Sequence, residues 1–412
     1  MSRTTFFLLI IFLILIGVGI FSYLFFYTSV FEGFGGQAGD KVRSIRNFLP
    51  FGDLGKTIGI DKEGEGEEPV IKQPKDITGE PAPRLMKLVA NPVAGFTSYI
   101  NGSSTVVRYI EKSSGRVFDI DMSIPSARTR ITNTTIPRVR EAFFSQNGSN
   151  VLIRYLDDGG SIQSYYSQVP KATSSEAFRN GVDLKGSFLA ENIVDVSVLP
   201  SSGRLFSMII SRNSAVGTVS DYDGNKKSQI FESPFTEWLS SWVNDKTILL
   251  VTKPSYAAPG FAYSLDVKTG AMKKIYGGTS GLTAVLSPDG KKFLISEDGS
   301  SLKIYDMTDH SIFDIGLKTI TDKCVWATSN TIYCGIPNKI AAANYPDAWY
   351  QGIVQFTDSI WIIDLDLSVT ETVWEMTSEE NIDAFNLSTS KDLEYLFFTN
   401  KKDGSLWSLK LR

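Results

Sequence analysis

From about residue 85 onward, apolar and polar positions repeat one pattern. A short apolar run enters a tight polar turn, a second apolar run follows, and a third run ends in Asp. The clearest copy is Leu282-Thr-Ala-Val-Leu286, the turn Ser287-Pro288-Asp289-Gly290, then Lys292-Phe-Leu-Ile-Ser296 and Leu302-Lys-Ile-Tyr305-Asp306. Runs this short, bounded by turn residues, predict strands. A repeat of about 40 residues built from such strands predicts a β-propeller.

Seven copies can be cut, with turns between their first two strands near Asn101, Asn147, Gly203, Asp245, Gly290, Ser329 and Asp392. We name the strands of each blade A to D from the axis outward. Alternation within the strands is imperfect, as expected where each blade is covered on both faces by its neighbours. Strand C ends on Asp in register at Asp266, Asp306 and Asp364. That recurrence reads as turn chemistry, because an Asp carboxylate bonds backbone amides two residues on. The chain ends on Leu406–Arg412, the third strand of the last copy, while Leu85-Met-Lys-Leu-Val-Ala90 is a strand left over at the front. Pairing the two closes a ring and removes an open sheet edge. The expectation is an all-β, seven-bladed propeller over 84–412, with four-stranded antiparallel blades and the last blade completed by the N-terminal strand.

Two loops depart from the repeat. Blade six carries an extra segment near 338–356, with Tyr345, Asp347, Trp349, Tyr350 and Gln351, between strands B and C. Blade four has an enlarged B–C loop, Lys253 to Gly260, containing Tyr256. In a propeller the B–C and D–A connections emerge on one face, so both loops belong to the same rim. Tyr and Trp offer large rigid area with a polar tip, which makes these six residues candidates for binding a partner. The competing reading is that Trp349 and Tyr350 fold back to plug the channel or cover a blade. A third irregular stretch, Gln168 to Gly186, joins strands C and D on the opposite face, with a short helix expected at 175–178.

Thr4 to Phe31 carries no charged residue, and Phe6 to Phe26 is almost wholly apolar. About 20 such residues span a bilayer as a helix. The run is longer than the core of a cleaved signal peptide, and Tyr23 and Tyr27 suit an interfacial belt. Residues 1–27 are therefore expected to anchor the chain, meeting the lipid bilayer through residues 5–27. The N-terminus would be cytoplasmic and the propeller extracytoplasmic. Residues 28–83, with Gly33 to Gly36, the charged run Lys62 to Glu68 and four prolines from Pro69 to Pro83, read as a flexible linker. The net charge of −4 gives no basic field for nucleic acid. The two cysteines, Cys324 and Cys334, each lie five residues from Ser329. In a hairpin centred there they face each other at disulfide range, which would imply an oxidising compartment; buried free thiols are the alternative.

The turn Ser287-Pro288-Asp289-Gly290-Lys-Lys292, followed by Phe-Leu-Ile, resembles the repeat of TolB-type, WD40-like propellers. The same repeat occurs in the propeller domains of prolyl peptidases. Ser201-Ser-Gly-Arg204 and Ser390-Lys-Asp-Leu393 keep the pattern without the letters. The plan of anchor, spacer and propeller resembles membrane-anchored cell-envelope proteins of bacteria. The resemblance implies the fold and names no function.

Signals for chemistry are sparse. The single histidine, His310, falls in a C–D turn of blade five rather than beside a nucleophile. No Gly-x-Ser-x-Gly elbow is present. Asp221-Tyr-Asp223-Gly224-Asn225 is similar to the start of a calcium loop but lacks its downstream Glu, and Asp-Gly is ordinary hairpin vocabulary. No cofactor is expected. The sequence points to a non-catalytic scaffold binding a protein, peptide or glycan at the propeller face. The alternative is an envelope hydrolase or lyase using carboxylates in the central channel.

Overall fold

The computed structural model describes residues 83–170, 181–199, 201–297, 300–377 and 380–411. The expected anchor, the linker up to residue 82 and the short helix at 175–178 lie outside the described residues. Among the described residues no helix is long and apolar enough to cross a membrane.

Seven four-stranded antiparallel sheets form the propeller. Blade one is Val93–Asn101, Ser104–Glu111, Val117–Asp121 and Arg128–Arg130. Blades two to five occupy 139–188, 193–233, 238–280 and 283–318. Blade six is Cys324–Trp326, Thr331–Pro337, Asp358–Asp364 and Val369–Trp374. Blade seven has Ala384–Thr389, Tyr395–Asn400 and Leu406–Lys410, with Leu85–Val89 as its outermost strand.

That last pairing closes the ring as the leftover strand implied. Leu85 faces Leu409, Met86 faces Ser408 and Lys87 faces Trp407. Lys410 N–H donates to Arg84 O at 2.7 Å, and the Lys87 ammonium lies 4.9 Å from the centre of the Trp407 ring.

The imperfect alternation has a direct cause. In Thr247–Thr252, strand B of blade four, Ile248 and Leu250 enter the core shared with blade three, with Phe206 and Met208. Leu249 and Val251 enter the core shared with blade five, with Phe293 and Ile295. Successive side chains still point to opposite faces. Both faces are buried, however, so all four central positions are apolar. The same holds in blade five, where Leu294 belongs to the core shared with blade six.

The A–B turns repeat one hydrogen-bond set. Ser287 Oγ donates to Asp289 Oδ1 and accepts Lys292 N–H at 2.9 Å, while Gly290 takes φ +73°. Ser390, Asp392 and Tyr395 make the same bonds around Leu393, held at φ +56°. Ser145, Asn147 and Asn150 make them around Gly148. The strand C aspartates act as turn residues: Asp266 accepts Lys268 and Thr269 N–H, and Asp364 accepts Asp366 and Leu367 N–H.

Candidate functional site

The blade-six insertion lies folded onto the B–C face. Tyr345, Asp347, Trp349 and Tyr350 are buried, and Trp349 is 0% exposed. Tyr345, Trp349 and Tyr350 pack with Ile320 and Phe356 in a small core of their own. Trp349 and Tyr350 thus fold back over the blades, as in the second of the two readings. Of the six candidates, Gln351 and Tyr256 alone are open to solvent, Tyr256 at 47%. The reason is local satisfaction of polar tips. Tyr350 OH donates to Asp322 Oδ2 at 2.9 Å and Tyr345 OH to Ala341 O at 2.8 Å. The Trp349 indole N–H donates to Asp383 Oδ2 at 3.0 Å. With its hydrogen bonds made internally, each ring gains burial at no cost in unpaired groups.

The two loops do meet. Asp347 Oδ2 accepts the backbone N–H of Tyr256 at 2.7 Å, tying the insertion to blade four. Lys401, on blade seven, donates to Trp349 O at 2.8 Å and lies 4.8 Å from the centre of its ring. The segment is thus a strap over the seams of blades five to seven, with a tether to blade four.

Beneath the strap is an ionic cluster that sequence reasoning missed. Lys323, Asp358 and Asp383 are all fully buried. Lys323 Nζ donates to Asp358 Oδ2 at 2.7 Å, to Asp383 Oδ1 and to Ala384 O at 3.1 Å. Burial disfavours the Lys323 ammonium, but the charges of Asp358 and Asp383 outweigh it and hold its pKa above the ordinary value. Burial pushes the Asp358 carboxyl up to about 6, against the pull of Lys323. No local pattern marks this site. Arg138 and Glu237 hold the same place, just before strand A, in blades two and four, and both stay partly in water. Only the strap makes Lys323 and Asp383 interior.

The opposite, A–B face is open. Around the axis lies a cavity of about 860 Å³ lined by residues from six blades. Its wall is mainly hydroxyl and amide: Ser98, Gln146, Asn147, Asn150, Ser201, Ser388 and Thr389 are among them. Tyr99 is the aromatic member and Lys391 the charged one, and no carboxylate is among the described residues that line it. The Tyr99 wall is braced from behind. Arg108 Nε and Nη2 donate to Asp119 at 2.7 Å each, Nη1 donates to Gly148 O at 2.7 Å, and Tyr99 OH donates to Asp119 Oδ2 at 3.0 Å. Such a surface can hydrogen-bond a polar ligand along its length.

The other sequence candidates sit where turn chemistry placed them. His310 occupies the C–D turn of blade five, its Nδ1 2.6 Å from Tyr305 OH. Asp223 accepts Asn225 N–H within its hairpin turn. Among the described residues no group of His, Cys, Asp or Glu is arranged to hold a metal. Cys324 and Cys334 are register partners in neighbouring strands of blade six and are joined as a disulfide.

No protein-family model matches the chain, and no curated protein matches it. Solved structures do. A mitotic checkpoint complex chain is 11% identical with a TM-score of 0.50, covering 85% of this chain and 98% of its own. The likeness is one of fold. An oligogalacturonate lyase from Vibrio parahaemolyticus is 8% identical (TM-score 0.47), covering 80% of this chain and 98% of its own. A puromycin-hydrolyzing peptidase of Mycobacterium tuberculosis is 10% identical (TM-score 0.48), covering 75% and 51%. At these identities they carry nothing about activity. The TolB-type resemblance therefore remains a likeness of one turn and its fold.

Proposed function

We propose that this chain is a membrane-anchored, extracytoplasmic scaffold that binds a protein, peptide or glycan without transforming it, and that its binding mouth is the axial cavity of the A–B face. The observation that carries this reading is the lining of that cavity. Hydroxyl and amide groups from blades one, two, three and seven converge on an open space with no carboxylate among the described residues that line it. A carboxylate hydrolase or lyase needs two acids flanking the scissile bond. The pair nearest such chemistry, Asp358 and Asp383, is sealed under the strap on the other face. The apolar run from Phe6 to Phe26 supports the anchor, and the Cys324–Cys334 disulfide supports an oxidising compartment.

Affinity capture from native membranes with the soluble domain, residues 84–412, tests the assignment. Ser98→Trp, which fills the cavity, should abolish capture. Tyr256→Ala, on the far face, should leave it unchanged. Capture that survives Ser98→Trp and fails with Tyr256→Ala refutes the assignment.

A further inference from the structure

The cluster under the strap is arranged for a covalent step. Lys323 immediately precedes strand A of blade six, and Asp358 opens strand C of the same blade. Strand B runs between them, and at Gly335 it has no side chain. A Cβ there would sit 3.1 Å from Asp358 Oδ2 and 3.1 Å from Ala384 Cβ, so glycine keeps the passage between lysine and aspartate open. Asp358 Oδ2 accepts Lys323 Nζ at 2.7 Å and Ala384 N–H at 2.6 Å. Asp358 Oδ1, equally buried, has no hydrogen-bond partner. Asp383 is served differently: the Trp349 indole, Phe356 N–H and Lys323 all donate to it. The rings of Trp349 and Phe356 stand 5.4 and 5.3 Å from Lys323 Nζ and close the site to water.

We propose that Lys323 and Asp358 condense into an intramolecular amide cross-link, with Asp383 carrying the protons. The two aspartates differ in the way this step needs. Asp383 Oδ1 accepts directly from the Lys323 ammonium, so it stands where it can take that proton. The orphaned Oδ1 is the place for the proton of a neutral Asp358, and burial favours that neutral form. Lys323 Nζ, freed of its proton, attacks Asp358 Cγ. The C–N bond forms and negative charge develops on Oδ2, where Ala384 N–H already points. The C–Oδ1 bond then breaks and water leaves, taking its second proton from the nitrogen by way of Asp383. The reactants are an ammonium, a carboxylic acid and a carboxylate. The products are an amide, water and a protonated Asp383, so atoms and charge balance without a co-reactant. Amide formation from free amine and acid is unfavourable in water. Here the groups are held together in a dry site, and the reaction removes two buried charges.

The product would join strands A and C of blade six, enclosing the strap segment in a covalent loop beside the Cys324–Cys334 disulfide. It would make the cover over blades six and seven permanent.

Intact mass of the full-length protein, extracted in detergent, denatured and reduced, is the test. A mass one water below that of the sequence is expected in essentially all molecules. Digestion after lysine and glutamate should then leave 319–339 uncut after Lys323 and joined to 340–371. Full sequence mass with free cleavage at Lys323 overturns the proposal. Attachment of 319–339 to 381–391 overturns the choice of Asp358. Asp383→Asn should return the full mass, and a cross-link that persists in that variant refutes the proton-carrying role. The wild-type mass decides the central point even where a variant does not fold.

Discussion

Replacing Trp349 with Ala separates a strap from a recognition loop. Trp349 is 0% exposed, and its ring packs on Tyr350 and Phe385 at centroid distances of 5.4 and 5.7 Å. Truncating a buried Trp to Ala costs about 3–5 kcal/mol in lost transfer and residual cavity. The indole N–H to Asp383 is lost as well. Phe356 N–H and Lys323 still serve that carboxylate, so this adds only about 1 kcal/mol. The total is about 4–6 kcal/mol. An unfolding entropy of about 2.1 cal/mol/K per residue over roughly 330 residues gives ~0.7 kcal/mol/K, hence a fall in Tm of about 6–9 °C. Trp349→Phe keeps most of the volume and loses the hydrogen bond, so its fall should be about 2–3 °C. Differential scanning calorimetry of residues 84–412 reads both. A fall below about 2 °C for Trp349→Ala, or equal falls for the two variants, refutes the packing argument.

Three further outcomes follow from the same geometry. Asp195 lies against Ser240, whose N–H donates to it at 3.0 Å, and burial pushes its pKa up to about 6. A folded pKa above the unfolded value near 3.9 means the native state holds the proton more tightly, so this group's stabilisation is present below about pH 4 and lost as pH rises through about 6. Chemical denaturation across that window should show Asp195→Asn removing a decline of up to about 3 kcal/mol, and parallel curves for the two proteins would defeat the claim. Deleting residues 84–90 strips the outer strand from blade seven and bares the edge of Leu406–Lys410. The shortened domain should aggregate on size-exclusion chromatography, and a stable monomer with unchanged Tm would contradict the closure. Without reductant, Cys324 and Cys334 should resist alkylation in the denatured protein, and ready labelling of both would disprove their pairing.

Much of the fold was legible because its rules are local. The Ser-x-Asp-Gly turn fixes a hairpin through bonds spanning five residues, as between Ser287 and Lys292, and the same Ser-to-N–H reach appears at Ser390 even with Leu393 in place of glycine. Strand length, turn chemistry and the leftover strand at Leu85 then determine the blade count and the closure. The facing of Cys324 and Cys334 follows from the same arithmetic of a symmetric hairpin.

The strap and its cluster were decided in three dimensions. Composition made Trp349 and Tyr350 equally good as a docking rim or a cover; the hydrogen bonds they donate to Asp322 and Asp383, 28 and 34 residues away, fold them inward. Lys323 carries no local mark distinguishing it from Arg138, because burial belongs to what lies on top of a residue and not to its neighbours in the chain. The axial cavity is likewise a sum over six blades, with ordinary serines, threonines or amides from blades one, two, three and seven and Val243 and Ala327 from blades four and six. A sequence writes each blade separately, whereas convergence on an axis exists only once the ring has closed.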